Sequence, residues 1–213
     1  MKKRAVLIPI GALLFTAAAY TLGWSTLFTV SSVEIKGTNS ILPTSISLGQ
    51  KLARIQPRTT ASEFEKLDWV KNVDVSRNWI TGKVIIKITE RVPVAIYNDR
   101  AIDSGGFSFI LRDQDTAGLP HIQAPDVESA ITAAAFFTSL PPELADAVVL
   151  VKVRSGVGYV LEINQGSRIV ELLWGQDVEN LLKLKVYTAL IAQPENVLVR
   201  RIDISAPRTP IVK

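Results

Sequence analysis

From residue 5 to residue 33 no charged side chain interrupts the chain, and the most apolar part of that run is the twenty positions 5–24. A helix rising 1.5 Å per residue crosses a hydrocarbon layer of about 30 Å in that length, so the pattern predicts a transmembrane helix over 5–25. Pro9 falls near its first turn, where a missing N–H is tolerated. Tyr20 and Trp24 lie where interfacial aromatics would hold the outer end. Beyond the run the texture shortens. Val33-Glu34-Ile35-Lys36-Gly37 alternates and reads as a strand closed by a Gly37-Thr38-Asn39 turn. Apolar residues Ile46, Leu48, Leu52 and Ile55 predict a helix over 43–55. Thr60 with Glu63 is a capping-box pattern that predicts a second helix over 60–67. Alternation through Val73, Val75, Arg77 and Trp79, then a β-branched stretch over 84–89 with Thr81-Gly82 between, predicts a hairpin. The predicted order is β-α-α-β-β, with a core of Val33, Ile35, Leu52, Phe64, Leu67, Val73 and Ile86 and with Trp69 packed at the helix–strand junction.

From Tyr97 onward the pattern becomes strands flanking two helices. Asp126 can cap a helix reaching Leu140, stopped by Pro141-Pro142. Strands are predicted over 148–153, 159–163 and 168–173. A helix over 177–191 would bury Val178, Leu181, Leu182, Val186, Ala189 and Leu190. The final strand is expected over 197–205, with Pro207 and Pro210 after it. The fold class is therefore α+β: an N-terminal transmembrane helix, one small α+β domain, and a second, mostly antiparallel β domain with flanking helices.

Lys2, Lys3 and Arg4 precede the apolar run, and such flanking cations keep their side of a span in the cytoplasm. The expected topology is a cytoplasmic tail over 1–4, a single span, and everything later outside. A cleavable signal peptide cut near Ala17-Ala18-Ala19 is the alternative. The apolar run continues through Tyr20, Leu22 and Trp24, longer than the roughly 7–15 residues of a signal core, and this favours the anchor. The formal charge of +4 comes largely from the three leading cations, so the body is nearly neutral and offers no basic face to nucleic acid. With no cysteine there is no disulfide scaffold, thiolate nucleophile or Cys-ligated metal, and the lone His121 removes His-pair metal motifs. No cofactor is implied.

Some residues imitate chemistry. Asp103-Ser104-Gly105-Gly106 matches a serine-protease nucleophile loop, but the only imidazole follows the serine, whereas that fold supplies it earlier. A Gly-rich turn is the simpler reading. Glu63-Phe64-Glu65 and Asp113-Gln114-Asp115 pair carboxylates without a cleft signature. Gly156-Val157-Gly158 lacks the third glycine of a dinucleotide loop and reads as a hairpin turn. These patterns point away from an enzyme and from a small-molecule substrate.

A more specific signal is an ordered series: Phe28-Thr29-Val30, Val33-Glu34-Ile35-Lys36-Gly37, Trp69-Val70-Lys71-Asn72-Val73, Arg77-Asn78-Trp79 and Glu90-Arg91-Val92-Pro93-Val94-Ala95. It resembles the POTRA domain of the FtsQ/DivIB family of bacterial cell-division proteins, with Asp68 and Ile80 departing from positions where proline is usual. Farther on, Gly118-Leu119-Pro120-His121-Ile122, Glu171-Leu172-Leu173-Trp174-Gly175 and Arg201-Ile202-Asp203-Ile204-Ser205 resemble that family's C-terminal β domain. The resemblance implies a POTRA domain over 28–96 and a partner-binding β domain over 97–213. It also implies a non-enzymatic, single-pass scaffold of the divisome in the cytoplasmic membrane, with FtsB- and FtsL-like partners. A POTRA-containing transport or assembly factor is the alternative, and an exported hydrolase a more distant one. The last strand is the expected partner site, because a strand with no element covering it can template another chain. Its residues are Arg200, Arg201, Ile202, Asp203, Ile204 and Ser205, with Arg154 and Tyr159 as the neighbouring choice.

Overall fold

The computed structural model describes residues 2–23, 27–112, 116–166 and 168–213, and within the first helix the side chains of residues 9–20. That helix, α1 (Lys2–Gly23), has 22 residues with Pro9 inside it. Its Ile10, Leu13, Leu14, Phe15 and Tyr20 are exposed. Among the described residues no helix is long and apolar enough to cross a membrane. Trp24 and the acidic pair Asp113 and Asp115 lie outside the described residues.

The chain divides into two compact units at Arg91 and Val92, ahead of the 96/97 boundary expected from the sequence. In the first, β1 (Ser32–Lys36), β2 (Val70–Arg77) and β3 (Lys83–Glu90) form a sheet ordered β1-β3-β2. The strand β3 is central, parallel to β1 and antiparallel to β2. Val84, Ile86 and Ile88 alternate along it into the core, as a half-covered sheet requires. The β2–β3 turn is made by Asn78, whose Oδ1 accepts the N–H groups of Ile80 and Thr81, and by Gly82 at φ 72°. A Cβ at Gly82 would collide with the Thr29 carbonyl. Leu52, Phe64, Trp69, Val73 and Ile86 are buried as expected, whereas Val33, Ile35 and Leu67 are half-buried. The first two of these lie on an edge strand.

One expected element is absent. Residues 43–55 are not a helix; only a 3₁₀ turn, Leu52–Arg54, forms there. Gly49 adopts φ 80°, and the main chain pairs instead with the segment entering β1: Val30 donates to the Gln50 carbonyl, Gly49 to that of Val30 and Leu52 to that of Phe28. The Thr44 hydroxyl and the Gln50 side chain take up N–H groups that a helix would have used. Helix α2 (Pro57–Phe64) also starts earlier than the capping box suggests, with Pro57 in its first turn and Thr60 buried within it. Glu63 accepts from the Ser45 hydroxyl at 2.9 Å rather than folding back on a cap. The arginines of the series tie loops to the sheet. Arg77 donates to the carbonyls of Leu52 and Ile55 at 2.9 and 2.8 Å, and the Arg91 side chain to that of Asp68 at 2.9 Å.

The second unit is built on a larger sheet. Its strands are β4 (Pro93–Tyr97), β5 (Arg100–Asp103), β6 (Ser108–Ile110), β7 (His121–Gln123), β8 (Val148–Arg154), β9 (Gly158–Asn164), β10 (Ile169–Gly175), β11 (Arg201–Asp203) and β12 (Ile211–Val212). Among the described residues they run in the order β12-β11-β10-β9-β8-β7-β4-β5-β6. Most pairings are antiparallel, but β4 with β7, β7 with β8, and β10 with β11 are parallel. Parallel neighbours need crossovers. Helix α3 (Val127–Ser139) lies between β7 and β8 in the chain, followed by the short α4 (Pro142–Ala145), and α5 (Asn180–Ile191) lies between β10 and β11.

Both long helices pack on one face. Ala130, Ala133, Ala134 and Phe136 of α3 and Tyr187 of α5 join Val151, Leu161, Ile163, Leu172, Trp174 and Ile202 in a single core. Phe136 stacks on Tyr159 with ring centroids 4.0 Å apart and meets Trp174 edge-on at 5.9 Å. The face expected of α5 is partly corrected by the structure. Val178, Leu181 and Ala189 are exposed, Val186 and Leu190 pack against the core as expected, and the fully buried positions are Lys183 and Tyr187. Lys183 donates to the Gln176 carbonyl at 2.6 Å and lies over the Trp174 ring, so its aliphatic stem does the packing.

Candidate partner-binding site

Opposite the helices, the sheet presents side chains that alternate away from the core. In register across the strands stand Leu150 of β8, Glu162 of β9, Glu171 of β10 and Arg201 of β11. Two carboxylates directly opposed on adjacent strands repel, and flanking cations offset this. Lys152 bonds Glu162. Glu171 lies between Arg154, 3.6 Å from one carboxylate oxygen, and Arg201, 3.4 Å from the other. Partly exposed pairs of this kind contribute about 0.2–1 kcal/mol each. The row therefore suits charge selection more than stability.

The expected last strand is shorter than the sequence suggests. Residues 197 and 198 are in a turn after a 3₁₀ segment, and β11 covers only Arg201–Asp203. Nor is β11 an edge: β10 flanks it on one side and β12 on the other. Pro207 and Pro210 do not terminate the ladder, because the chain turns back through them to form β12. The end of the sheet thus falls at Ile211–Val212. Lys213 donates to the Arg201 carbonyl at 2.9 Å and accepts from the Arg201 N–H at 3.0 Å. In an antiparallel ladder the alternate residue turns its main-chain groups the other way. The N–H and C=O of Val212 therefore point away from β11.

The structure divides the expected site residues. Arg154, Arg201 and Asp203 share the helix-free face, and Arg200 is exposed beside them. Ser205 is exposed and donates to Asp203 at 2.7 Å. Ile202 and Ile204 are core residues, 2% and 0% exposed, and present nothing to a partner. Tyr159 is on the opposite face against Phe136, where burial pushes its phenol up. Lys152, Glu162, Glu171, Ile211 and Val212 belong to this region without standing out in the sequence. Glu171 between Val170 and Leu172 signals an outward acid, but its partners come from both sides of β10, Arg201 through the parallel β10–β11 pairing and Arg154 from β8 across β9.

The residues that imitate catalysis have structural duties or lie apart. The Asp103 carboxylate accepts the N–H groups of Gly105 and Phe107, each at 2.9 Å, and so shapes the β5–β6 turn that carries Ser104. His121 is exposed on β7. Gly156-Val157-Gly158 turns β8 into β9.

Residues 28–91 match the family model described as POTRA domain, FtsQ-type. The chain is also similar to three proteins named cell division protein FtsQ. That of Mycobacteroides abscessus is 27% identical over 222 aligned positions, covering 98% of this chain and 69% of the relative. That of Alcanivorax borkumensis is 30% identical, covering 59% and 46%. That of Salinibacter ruber is 24% identical, covering 57% and 54%. The chain thus spans about two thirds of the first relative and about half of the other two. Three strands with a crossing helix in the first unit and the FtsQ-type match over them converge: residues 28–91 form a POTRA domain of the FtsQ type, in a chain that is similar over nearly all its residues to a cell division protein FtsQ.

Proposed function

We propose that the protein is a non-enzymatic scaffold of the divisome, held in the cytoplasmic membrane by residues 5–25 and joining other membrane division proteins through its extracytoplasmic units. The observation that carries the reading is the end of the larger sheet. There β12 turns main-chain donors and acceptors outward, beside the exposed cations Arg200 and Arg201. An extended segment adding to β12 gains ladder hydrogen bonds, and acidic residues on that segment gain the arginines. FtsB- and FtsL-like proteins are the partners this reading assigns. The anchor is supported by the charge-free run over 5–33, by the cations before it and by the helical conformation of Lys2–Gly23.

Val212→Pro removes an N–H that β11 does not use, so it tests strand addition while leaving the native ladder in place. With the fold verified by circular dichroism, this variant should lose binding to the partner's extracytoplasmic segment at least tenfold, about 1.4 kcal/mol. Arg200→Glu and Arg201→Glu should weaken it further in low salt. Wild-type affinity in all three would move the site elsewhere, with Arg154 and Glu171 on the helix-free face the next place to look.

A further inference from the structure

Gly23 ends α1, and Leu27 is four peptide steps later, at most about 15 Å of chain. Residues 28–31 then form a built corner. Phe28 adopts φ 58°, an outlying conformation for a bulky residue. It is fixed by the hydrogen bond from Leu52 N–H to its carbonyl and by the adjacent Thr29–Lys51 bridge. The β2–β3 turn is drawn to the same corner: Ser31 donates from its N–H to the Gly82 carbonyl at 2.9 Å and from its hydroxyl to that of Thr81 at 2.7 Å. The rings of Phe28 and Trp79 meet edge-on, centroids 6.2 Å apart.

The corner gathers four apolar side chains at the surface. Leu27 is 58% exposed, Phe28 37%, Trp79 36% and Ile80 95%, around an open depression of about 480 Å³. The turn itself does not demand this. Asn78 and Gly82 supply its geometry, and position 80 contributes only an N–H, so a polar residue there would serve equally well. Segments 27–31 and 77–83 hold Arg77 and Lys83 and no acid, and Glu34 of β1 bonds Lys83 from outside them. The Arg77 guanidinium lies 5.2 Å from the centre of the Trp79 ring.

Resting on the anchor reading above, we propose that Leu27, Phe28, Trp79 and Ile80 form a lipid-interface contact, seated in the headgroup layer of the leaflet where α1 emerges. The short link confines Leu27 and Phe28 to the neighbourhood of that layer, which is about 5–7 Å thick on each side of the hydrocarbon. Trp79 has the amphipathic ring favoured at this depth, and a net positive rim suits anionic headgroups. The contact would fix the tilt of the first unit on its anchor.

The chain has no cysteine, so single cysteines report cleanly. Full-length Ile80→Cys, Leu14→Cys and Lys71→Cys would each be labelled with an environment-sensitive fluorophore. They would then be reconstituted in vesicles of phosphatidylethanolamine and phosphatidylglycerol carrying nitroxide lipids. Lys71 is exposed near the other end of β2, about 20 Å along the strand from Arg77, where the turn carrying Trp79 begins. The Ile80 probe should lose most of its emission to shallow nitroxides, the Leu14 probe to deep ones, and the Lys71 probe to neither. In unlabelled protein, Trp79→Phe should remove part of the shallow-quenched tryptophan emission. An Ile80 probe quenched no more than that at Lys71, with Leu14 quenched, overturns the interface contact and leaves the anchor standing. An unquenched Leu14 probe overturns the anchor, and the interface contact falls with it.

Discussion

At Asp126 the sequence signal and the geometry agree. The residue precedes an amphipathic run, and its carboxylate accepts the Ser129 N–H at 2.7 Å. That hydrogen bond holds its carboxyl below the usual carboxylate range. A carboxyl that releases its proton more readily in the folded state stabilises the fold above the ordinary Asp value, about 3.9. The contribution is lost as pH falls through the lower folded value. Asp126→Ala should therefore lower the thermal midpoint at neutral pH, and the gap from wild type should close in acid; a gap independent of pH would mean that the carboxylate is not the cap. Lys183 is the opposite case. In a sequence a lysine marks a solvent-facing position, yet this one is fully buried, with its ammonium led out to the Gln176 carbonyl. Burial pulls its pKa down against the opposing pull of Asp177 and Glu179. No periodicity shows this, because the decision rests on the Trp174 ring beneath it.

The same limit governs whole elements. Strands with alternating residues, such as β2, β3, β8, β9 and β10, are legible within a residue or two, since period-two patterns survive any packing that covers one face. The helix expected over 43–55 is not, because local periodicity competes there with long-range pairing to Phe28 and Val30, and Gly49 tips the balance. Likewise β11 reads as an edge because nothing in Ile211-Val212 resembles a strand until Ile202 and Asp203 are opposite them. For α5 the structure turns the stripe read from the apolar residues: Val186 and Leu190 stay against the core, Leu181 is left in solvent, and Lys183 and Tyr187 are buried. Tyr187→Ala should lower the stability of the second unit by about 3 kcal/mol, as for a buried aromatic. Leu181→Ser, at a position 79% exposed, should stay within about 0.5 kcal/mol of wild type. Denaturant unfolding of the two variants decides between the stripes: a large loss from Leu181→Ser with a small one from Tyr187→Ala would restore the stripe read from sequence.

For the molecule as a whole, the decisive test of the proposed anchor is on which side of a membrane the two units are found. The body is nearly neutral, so the orientation rests on the three cations before the apolar run and on the lack of any charge from 5 to 33. A reporter that is active only after export, fused behind Lys213, should be active, and one that works only in the cytoplasm should be silent. On the proposed topology, replacing Lys2, Lys3 and Arg4 together by Glu removes the charge bias that would keep the leading end inside and should lower the exported signal. The intact mass separates anchor from signal peptide. A protein that keeps Ala5 to Trp24 retains a stretch long enough to span about 30 Å, whereas cleavage after the alanine triplet would release both units from the membrane. Recovery of the uncleaved chain in the membrane fraction, extracted by detergent and not by salt or alkali, is the outcome expected of an anchor. Activity of the cytoplasmic reporter behind Lys213 would reverse the topology and, with it, place the β12 edge out of reach of any extracytoplasmic partner.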